Sequence, residues 1–154
     1  MNTDFLSTMI PMLFEGLKVT LQVSVTGIIL GFLLGSVSGY ALQSHSRTAK
    51  GIASVYIWII RGTPLVVQAL YVYFVVPAIV TLIIGRRFVL DSTLAGIIVI
   101  TLNAGAFISA IVKGALEGVD EGQKEAGASL GLSSRQILLH IIIPPAFLTS
   151  SSYP

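Results

Sequence analysis

Polar side chains stand inside apolar stretches of the sequence, where they could hydrogen-bond a polar solute. Gln68 and Tyr71 lie in one stretch, and Thr101 and Asn103 lie in another. Lipid cannot hydrogen-bond such groups, so they usually face the protein interior or a water-filled path. Two interpretations stay open: these side chains tie helix to helix, or they line a polar translocation path. Asn103 is the strongest single candidate for the path, because asparagine is costly in hydrocarbon.

No residue set for covalent or acid–base chemistry is visible in the sequence. The absence of cysteine excludes disulfides, thiolate metal sites and cysteine nucleophiles. His45 and His140 have no His, Asp or Glu at ligand spacing, so we expect them at the membrane interface and expect no metal or cofactor. The sequence also lacks a nucleophile–base pair and a G-x-x-x-x-G-K-[ST] phosphate loop. We therefore expect no enzyme activity in this chain.

Composition indicates a membrane protein. The chain has 154 residues, of which 54% are hydrophobic and 10% charged, and its mean hydropathy is +0.89. A soluble domain would have about 25% charged residues. The net charge of +2, without a basic run, argues against a nucleic-acid partner.

Three charge-free stretches are long enough to cross a bilayer, which takes roughly 20 residues as a helix. They predict spans at about 19–42, 63–84 and 92–113. Helices are expected because every backbone polar group must be paired within the membrane. A further apolar segment, 51–60, is too short to span and contains a tyrosine and a tryptophan. We expect it to form a helix along the cytoplasmic surface.

Glycines recur four residues apart in the first span, at Gly27, Gly31, Gly35 and Gly39. Residues at this spacing share one helix face. Small residues on such a face let helix backbones approach closely in lipid. The pattern predicts that the first span packs tightly against a neighbouring helix.

The distribution of Lys and Arg predicts the orientation. The segments that follow the first and third spans carry Arg47, Lys50, Arg61, Lys113, Lys124 and Arg135. The opposite side carries Lys18, Arg86 and Arg87. Because cytoplasmic segments are enriched in positive charge, this excess favours an outside N-terminus and a cytoplasmic segment after the third span.

That cytoplasmic segment carries signals for two short helices. Asp120 can cap the first helix, with Gln123 at the position that reaches back to the cap. Gly131 can end this helix, because glycine takes the left-handed conformation cheaply. Ser133 can cap the second helix, with Gln136 completing a capping box. The sequence therefore predicts a helix, a glycine bend and a second helix.

Three motifs, in order, resemble those of the permease subunit of polar-amino-acid ABC importers of the histidine/glutamine/arginine/opine type. Residues 61–68 resemble R-G-T-P-L-x-V-Q, and residues 94–107 resemble L-A-G…L-N-S-G-A-Y. Residues 122–132 resemble G-Q-x-E-A-A-x-x-L-G-L, which opens the EAA loop of the family. The loop here has the spacing E-A-small-x-x-x-G-x9-I-x-apolar-P. The resemblance covers nearly all of residues 10–147.

The resemblance implies an all-α membrane protein with three transmembrane helices and a cytoplasmic helix-bend-helix coupling loop, an incomplete MetI-like type I ABC importer permease fold. The transmembrane domain would occupy 1–147, with the EAA loop at about 117–144 and a divergent tail at 148–154. In this family the loop docks the ATPase. The matching coupling residues are Gln123, Glu125, Ala126, Gly127, Gly131 and Pro144.

Partners also follow from the resemblance. They are an ABC ATPase subunit that hydrolyses ATP, a second permease subunit in a homo- or heterodimer, and a periplasmic or lipid-anchored amino-acid-binding protein. The implied location is the bacterial plasma (inner) membrane, as a multi-pass protein in contact with membrane lipid.

The sequence departs from the family pattern at several points. Gly127 replaces the usual alanine, Ala110 stands where glutamate is usual, and Pro145 replaces glutamine. Family members continue into two further spans, so we expect a truncated permease. Two alternatives stay open: a truncated permease that does not transport, and a small membrane scaffold or regulatory protein. Copurification with an ATPase would separate the permease from the scaffold.

Overall fold

Helices build the architecture of this protein. The computed structural model describes residues 3–118, 121–137 and 140–141. The elements, in chain order, are α1 (Thr3–Gln43), α2 (Arg47–Gly62), α3 (Leu65–Leu70), a π-helical turn (Tyr71–Val75), α4 (Val76–Ile84), α5 (Ser92–Glu117), α6 (Glu121–Ser129) and α7 (Ser134–Ile137). The described residues contain no β-strand, and the all-α prediction is confirmed.

Three helical runs are long and apolar enough to cross a membrane: Met9–Gln43, Leu65–Ile84 and Ser92–Glu117. Large apolar side chains cover their outer surfaces, and Leu82 is 84% exposed. Such a surface is unfavourable in water but is the surface expected against hydrocarbon. The prediction of three transmembrane helices is confirmed.

The glycine face of α1 packs directly on α5. A Cβ atom added at Gly35 would lie 2.7 Å from the Cβ of Ile108, and one added at Gly39 would lie 2.7 Å from the Cβ of Val112. The pairing keeps a constant offset along the seam, because Gly27 meets Ile100 and Gly31 meets Ala104 in the same way. The two helices therefore run parallel, and the predicted close neighbour of the first span is the third span.

Main-chain carbonyls of α5 line the same seam. The carbonyl oxygens of Thr101, Gly105 and Ser109 lie 3.1, 2.8 and 2.9 Å from the positions that Cβ atoms would take at successive glycines of α1. Without side chains on those glycines, carbonyls can approach the α1 backbone closely enough for Cα–H···O contacts, a recurring feature of helix–helix interfaces. The seam thus depends on the missing Cβ atoms rather than on large apolar side chains.

A single π-helical turn interrupts the second span between α3 and α4. It covers Tyr71–Val75, and Pro77 follows it in the first turn of α4. Proline has no N–H to donate, so a regular hydrogen-bond ladder cannot continue through this position. Single π turns inside α-helices occur frequently at functional sites. The second span is therefore a helix with a built-in irregularity near its middle.

The amphipathic helix α2 connects the first two spans. Ser46 caps its N-terminus, accepting a hydrogen bond of 3.4 Å from the N–H of Ala49. Ala53 is buried, whereas Ile52 and Trp58 are 72% and 78% exposed. The helix therefore packs one face on the bundle and leaves apolar side chains at its surface.

Candidate docking loop and polar path

The helix α6 ends in a glycine-dependent motif. Gly131 has a φ of +80°, in the left-handed region that glycine adopts without strain. The N–H of Leu132 donates to the carbonyl of Gly127 over 3.1 Å, and the N–H of Gly131 donates to the carbonyl of Ala128 over 3.0 Å. These two hydrogen bonds define a Schellman motif, which satisfies carbonyls that a helix end leaves unpaired. The predicted glycine bend is confirmed.

The helix α7 begins with a capping box. The N–H of Gln136 donates to the Ser133 hydroxyl over 3.4 Å, and the N–H of Ser133 donates to the Gln136 side-chain carbonyl over 2.9 Å. The reciprocal pair satisfies two N–H groups that a helix start leaves free. The predicted helix-bend-helix loop is therefore present. Asp120, the predicted cap of the first helix, and Pro144, a predicted coupling residue, lie outside the described residues.

Gly127 holds the two loop helices together. It is buried, and a Cβ atom added there would lie 2.5 Å from the Cδ1 of Ile141 and 3.2 Å from the Cγ1 of Ile137. The departure from the usual alanine therefore has a structural consequence, because it lets the side chains of Ile137 and Ile141 pack against the α6 backbone. Gly127 belongs to the inner face of the loop.

The opposite face of α6 is open to solvent. Its members share the spacing i, i+3, i+4 and i+7, and all are exposed: Gly122, Glu125, Ala126 and Ser129. Three of the four have short side chains, so only the Glu125 side chain projects far from the helix. Gln123 and Gly131 are exposed as well. A face of this shape can enter a groove on a partner without large side chains colliding.

The buried Gln68 side chain joins the second span to α2. Its Nε2 donates to the carbonyls of Ile60 and Thr63 over 2.7 and 2.9 Å, and to the Thr63 hydroxyl over 3.0 Å. Ile60 lies in the last turn of α2, whose carbonyls need partners outside the helix. Among the described residues, the Gln68 Oε1 is buried without a hydrogen-bond partner. One end of this amide is therefore structural, and the other end keeps an unused acceptor.

The remaining path candidates do not converge on one surface. Thr101 and Asn103 are two residues apart on α5, so their side chains leave the helix about 200° apart. The carbonyl of Thr101 faces the glycine seam, and its hydroxyl is buried without a hydrogen-bond partner within the described part of the chain. Asn103 is half-buried, and Tyr71 is 55% exposed.

A cavity of about 310 Å³ lies between α5 and the second span. Ser92, Gly96 and Val99 line it from α5, and Leu70 and Tyr73 are among the residues that line it from the second span. Asn103 follows Val99 by one turn and therefore shares the face that bears the cavity. Of the predicted path residues on α5, Asn103 lies on the helix face that bears this mainly apolar cavity.

Two contacts of α2 escaped the sequence reasoning. The Tyr56 hydroxyl donates to the carbonyl of Leu102 over 2.7 Å, and burial raises its pKa above the ordinary value of 10.0. The Arg61 guanidinium lies 5.3 Å from the centre of the Phe107 ring, within the range of a cation–π interaction. Both contacts join residues more than 40 positions apart, so local patterns carry no signal for them.

The geometry defines a class: a helical membrane protein with three spans and a helix-bend-helix loop beside the end of the third span. A family model for the inner membrane component of binding-protein-dependent transport systems matches residues 27–152. The chain belongs to this family.

Curated relatives and a solved structure agree with that assignment. The glutamine transport system permease protein GlnP of Escherichia coli (strain K12) is 37% identical over 137 residues, which cover 89% of this chain and 60% of the relative. The arginine transport system permease protein ArtQ of Bacillus subtilis (strain 168) is 36% identical over 149 residues, which cover 96% of this chain and 65% of the relative. A crystal structure of an amino acid ABC transporter with histidines matches with a TM-score of 0.74 and 32% identity, over 96% of this chain and 66% of the other. The chain thus spans about two thirds or less of each of these proteins.

Proposed function

We propose that this chain is a permease subunit of an ATP-driven amino-acid importer of the bacterial inner membrane. Its spans contribute to the translocation path, and its α6–α7 loop docks a separate ATPase subunit. A second permease subunit and an amino-acid-binding protein complete the transporter. Polar amino acids are the proposed substrate class, because relatives of this chain are named for glutamine and arginine transport.

The observation that carries the docking proposal is the two-sided construction of α6. Gly127 fixes the inner face against Ile137 and Ile141, while Glu125 and Ala126 stand on the exposed outer face. The Schellman motif and the capping box fix the bend between the two helices, and the small residues of the outer face leave room for a groove of a partner. The coupling residues in this proposal are Gln123, Glu125, Ala126, Gly127, Gly131 and Pro144.

Coupling would be mechanical. When the ATPase subunits close, they push the docked face of α6, and the push passes through the short loop into α5 and the spans packed on it. The parallel α1–α5 seam favours movement of these two spans as one body, because their backbones are in contact over four glycines. Asn103 on α5 is the residue that we propose for the polar lining of the path, and the unpartnered Oε1 of Gln68 can add an acceptor. Tyr71 and Thr101 stay predicted path residues that do not share its surface.

Charge reversal in the loop tests the docking proposal. Glu125→Lys, placed in a permease with this loop, should reduce copurification of the ATPase subunit and reduce uptake by a similar factor, at least roughly tenfold for a buried interfacial charge. Glu15→Lys makes the same charge change at an exposed position near the start of α1 and should leave both measurements unchanged. Normal association and uptake in Glu125→Lys would remove the loop from the mechanism.

A further inference from the structure

A groove of about 530 Å³ runs between the end of α1 and the second half of α2. Leu42 lines it from α1, one residue before that helix ends. Ser54, Trp58 and Arg61 are among the residues that line it from α2. Leu42 lies at the end of a membrane span, so this end of the groove sits at the level where hydrocarbon gives way to headgroups.

Cations and an aromatic residue share the groove side of α2. Arg47, Lys50, Ser54, Trp58 and Arg61 fall on one stripe of the helix at 3.6 residues per turn. Arg47, Lys50 and Trp58 are exposed, as is Arg61. A basic stripe with an interfacial tryptophan is typical of a helix that lies against anionic lipid.

Among the described residues, no carboxylate forms an ion pair with this stripe, and Glu117 at the end of α5 pairs with Lys113. The sequence contains no Asp or Glu between Glu15 and Asp91, which both lie at the far ends of their spans. Within the described residues the ion pair formed is Lys113–Glu117, with 3.6 Å between charged atoms, and Arg61 pairs with no carboxylate. The positive charge of the groove therefore has no counter-ion in the described part of the chain.

The Phe107 ring holds Arg61 in position, and this contact does not use the N–H groups of the Arg61 guanidinium. The guanidinium carbon lies 5.3 Å from the ring centre, so the attraction acts through the face of the ring. The N–H groups of a guanidinium remain free to bind an oxyanion, and their planar fork matches the geometry of phosphate.

We propose that this groove binds the headgroup of an anionic phospholipid. The lipid phosphate accepts hydrogen bonds from Arg61 and from the Ser54 hydroxyl, Lys50 and Arg47 add attraction at the rim, and the acyl chains lie along the exposed apolar side chains of α2. The uncompensated charge selects an anionic lipid over a zwitterionic one. The site is separate from the α6–α7 loop and does not depend on the transported substrate.

Trp58 provides a direct probe, because it is the only tryptophan of the chain and lines the groove. The purified chain is reconstituted in phosphatidylcholine vesicles that contain dibrominated phosphatidylglycerol, whose bromines quench tryptophan on contact. Dibrominated phosphatidylglycerol should quench Trp58 fluorescence more strongly than dibrominated phosphatidylcholine does at the same mole fraction. Arg61→Gln should weaken the preference for the anionic lipid roughly fivefold, and Arg47→Gln or Lys50→Gln should weaken it less.

Matched controls separate the outcomes. Arg87→Gln removes an exposed cation from the loop at the opposite end of the spans and should keep the wild-type preference. Quenching by dibrominated phosphatidylcholine should be the same in Arg61→Gln as in the wild type, which shows that Trp58 stays in place. Equal quenching by the two lipids in the wild type, an unchanged preference in Arg61→Gln, or displacement of the lipid by inorganic phosphate would overturn the proposal.

Discussion

The Tyr56 hydroxyl donates a hydrogen bond of 2.7 Å to the main-chain carbonyl oxygen of Leu102, joining α2 to the middle of α5. Gly105 makes this contact possible, because a Cβ atom there would lie 2.7 Å from the same hydroxyl oxygen. The carbonyl belongs to a helix, where its first acceptor site serves the helical ladder. The tyrosine therefore uses the second lone pair of a carbonyl that already accepts a hydrogen bond within the helix.

Removing this hydroxyl should loosen α2 from α5 without disrupting either helix. We expect Tyr56→Phe to lower the free energy of unfolding by about 1 kcal/mol, the net contribution of one ordinary hydrogen bond. Thermal unfolding in detergent measures the difference. Tyr40→Phe, on the exposed side of α1, is the matched control and should unfold as the wild type does.

The pH dependence of stability in the wild type and in Tyr56→Phe tests the raised pKa of Tyr56. Burial raises the pKa of Tyr56 above 10.0, so folding favours the protonated hydroxyl. Its contribution to stability should be complete below pH 10 and should fall as the pH rises through the pKa of the folded protein. The stability difference between wild type and Tyr56→Phe should therefore shrink above pH 10. A difference that stays constant would mean that folding does not raise the pKa of Tyr56.

The α1–α5 seam predicts a position-specific effect of added methyl groups. In Gly35→Ala the new Cβ would lie 2.8 Å from the Gly105 carbonyl oxygen, so the helices must separate. We expect a loss of roughly 1–3 kcal/mol, as for other overpacked contacts. In Gly16→Ala nothing lies within 4 Å of the new atom, and the better helix propensity of alanine should stabilise α1 slightly. Equal effects at the two positions would contradict the close packing of the helices.

The left-handed glycine of the loop predicts a functional effect distinct from strain alone. Gly131→Ala forces a side chain into a φ of +80°, at roughly 1–2 kcal/mol. The bend should open, and the ATPase subunit should bind more weakly. Gly85→Ala imposes comparable strain at a φ of +70° between the second and third spans and should leave that binding unchanged. If both variants bound the ATPase equally well, the bend would not shape the docking face.

Orientation can be tested by labelling, because the sequence has no cysteine to remove first. A cysteine introduced at exposed Ser129 should be protected from a membrane-impermeant maleimide in intact cells and labelled in inverted vesicles. A cysteine at exposed Arg87 should show the reverse pattern. The opposite result would place the loop outside the cell and exclude a cytoplasmic partner.

Signals that act within a few residues predicted the loop. Gly131 ends α6 through hydrogen bonds that reach back five residues at most, and the capping box of Ser133 and Gln136 spans three. Such motifs depend on residues that are close in sequence, so local patterns can predict them. The docking role of the loop, in contrast, depends on a partner and remains a proposal.

Local sequence patterns could not predict the contacts between distant segments. The glycine spacing predicted a close neighbour for α1 but not its identity, since any apolar helix could satisfy it. The sequence left two roles open for Gln68, a tie between helices and a lining of the path, and its Nε2 makes such a tie at the end of α2, eight residues earlier. Pro77 follows the π turn of the second span, but a proline alone does not distinguish a kink, a break and a π turn.

The most direct test of the central claim is photo-crosslinking from the outer face of α6. A photoreactive amino acid at exposed Ala126, in the permease coexpressed with the ATPase of its transport system, should give a covalent permease–ATPase product. The same probe at exposed Arg87 should give none. Crosslinking at Ala126 and not at Arg87 is the predicted result. Absence of the product at Ala126, while the two subunits still copurify, would show that the ATPase binds elsewhere and would contradict the assigned role of the loop.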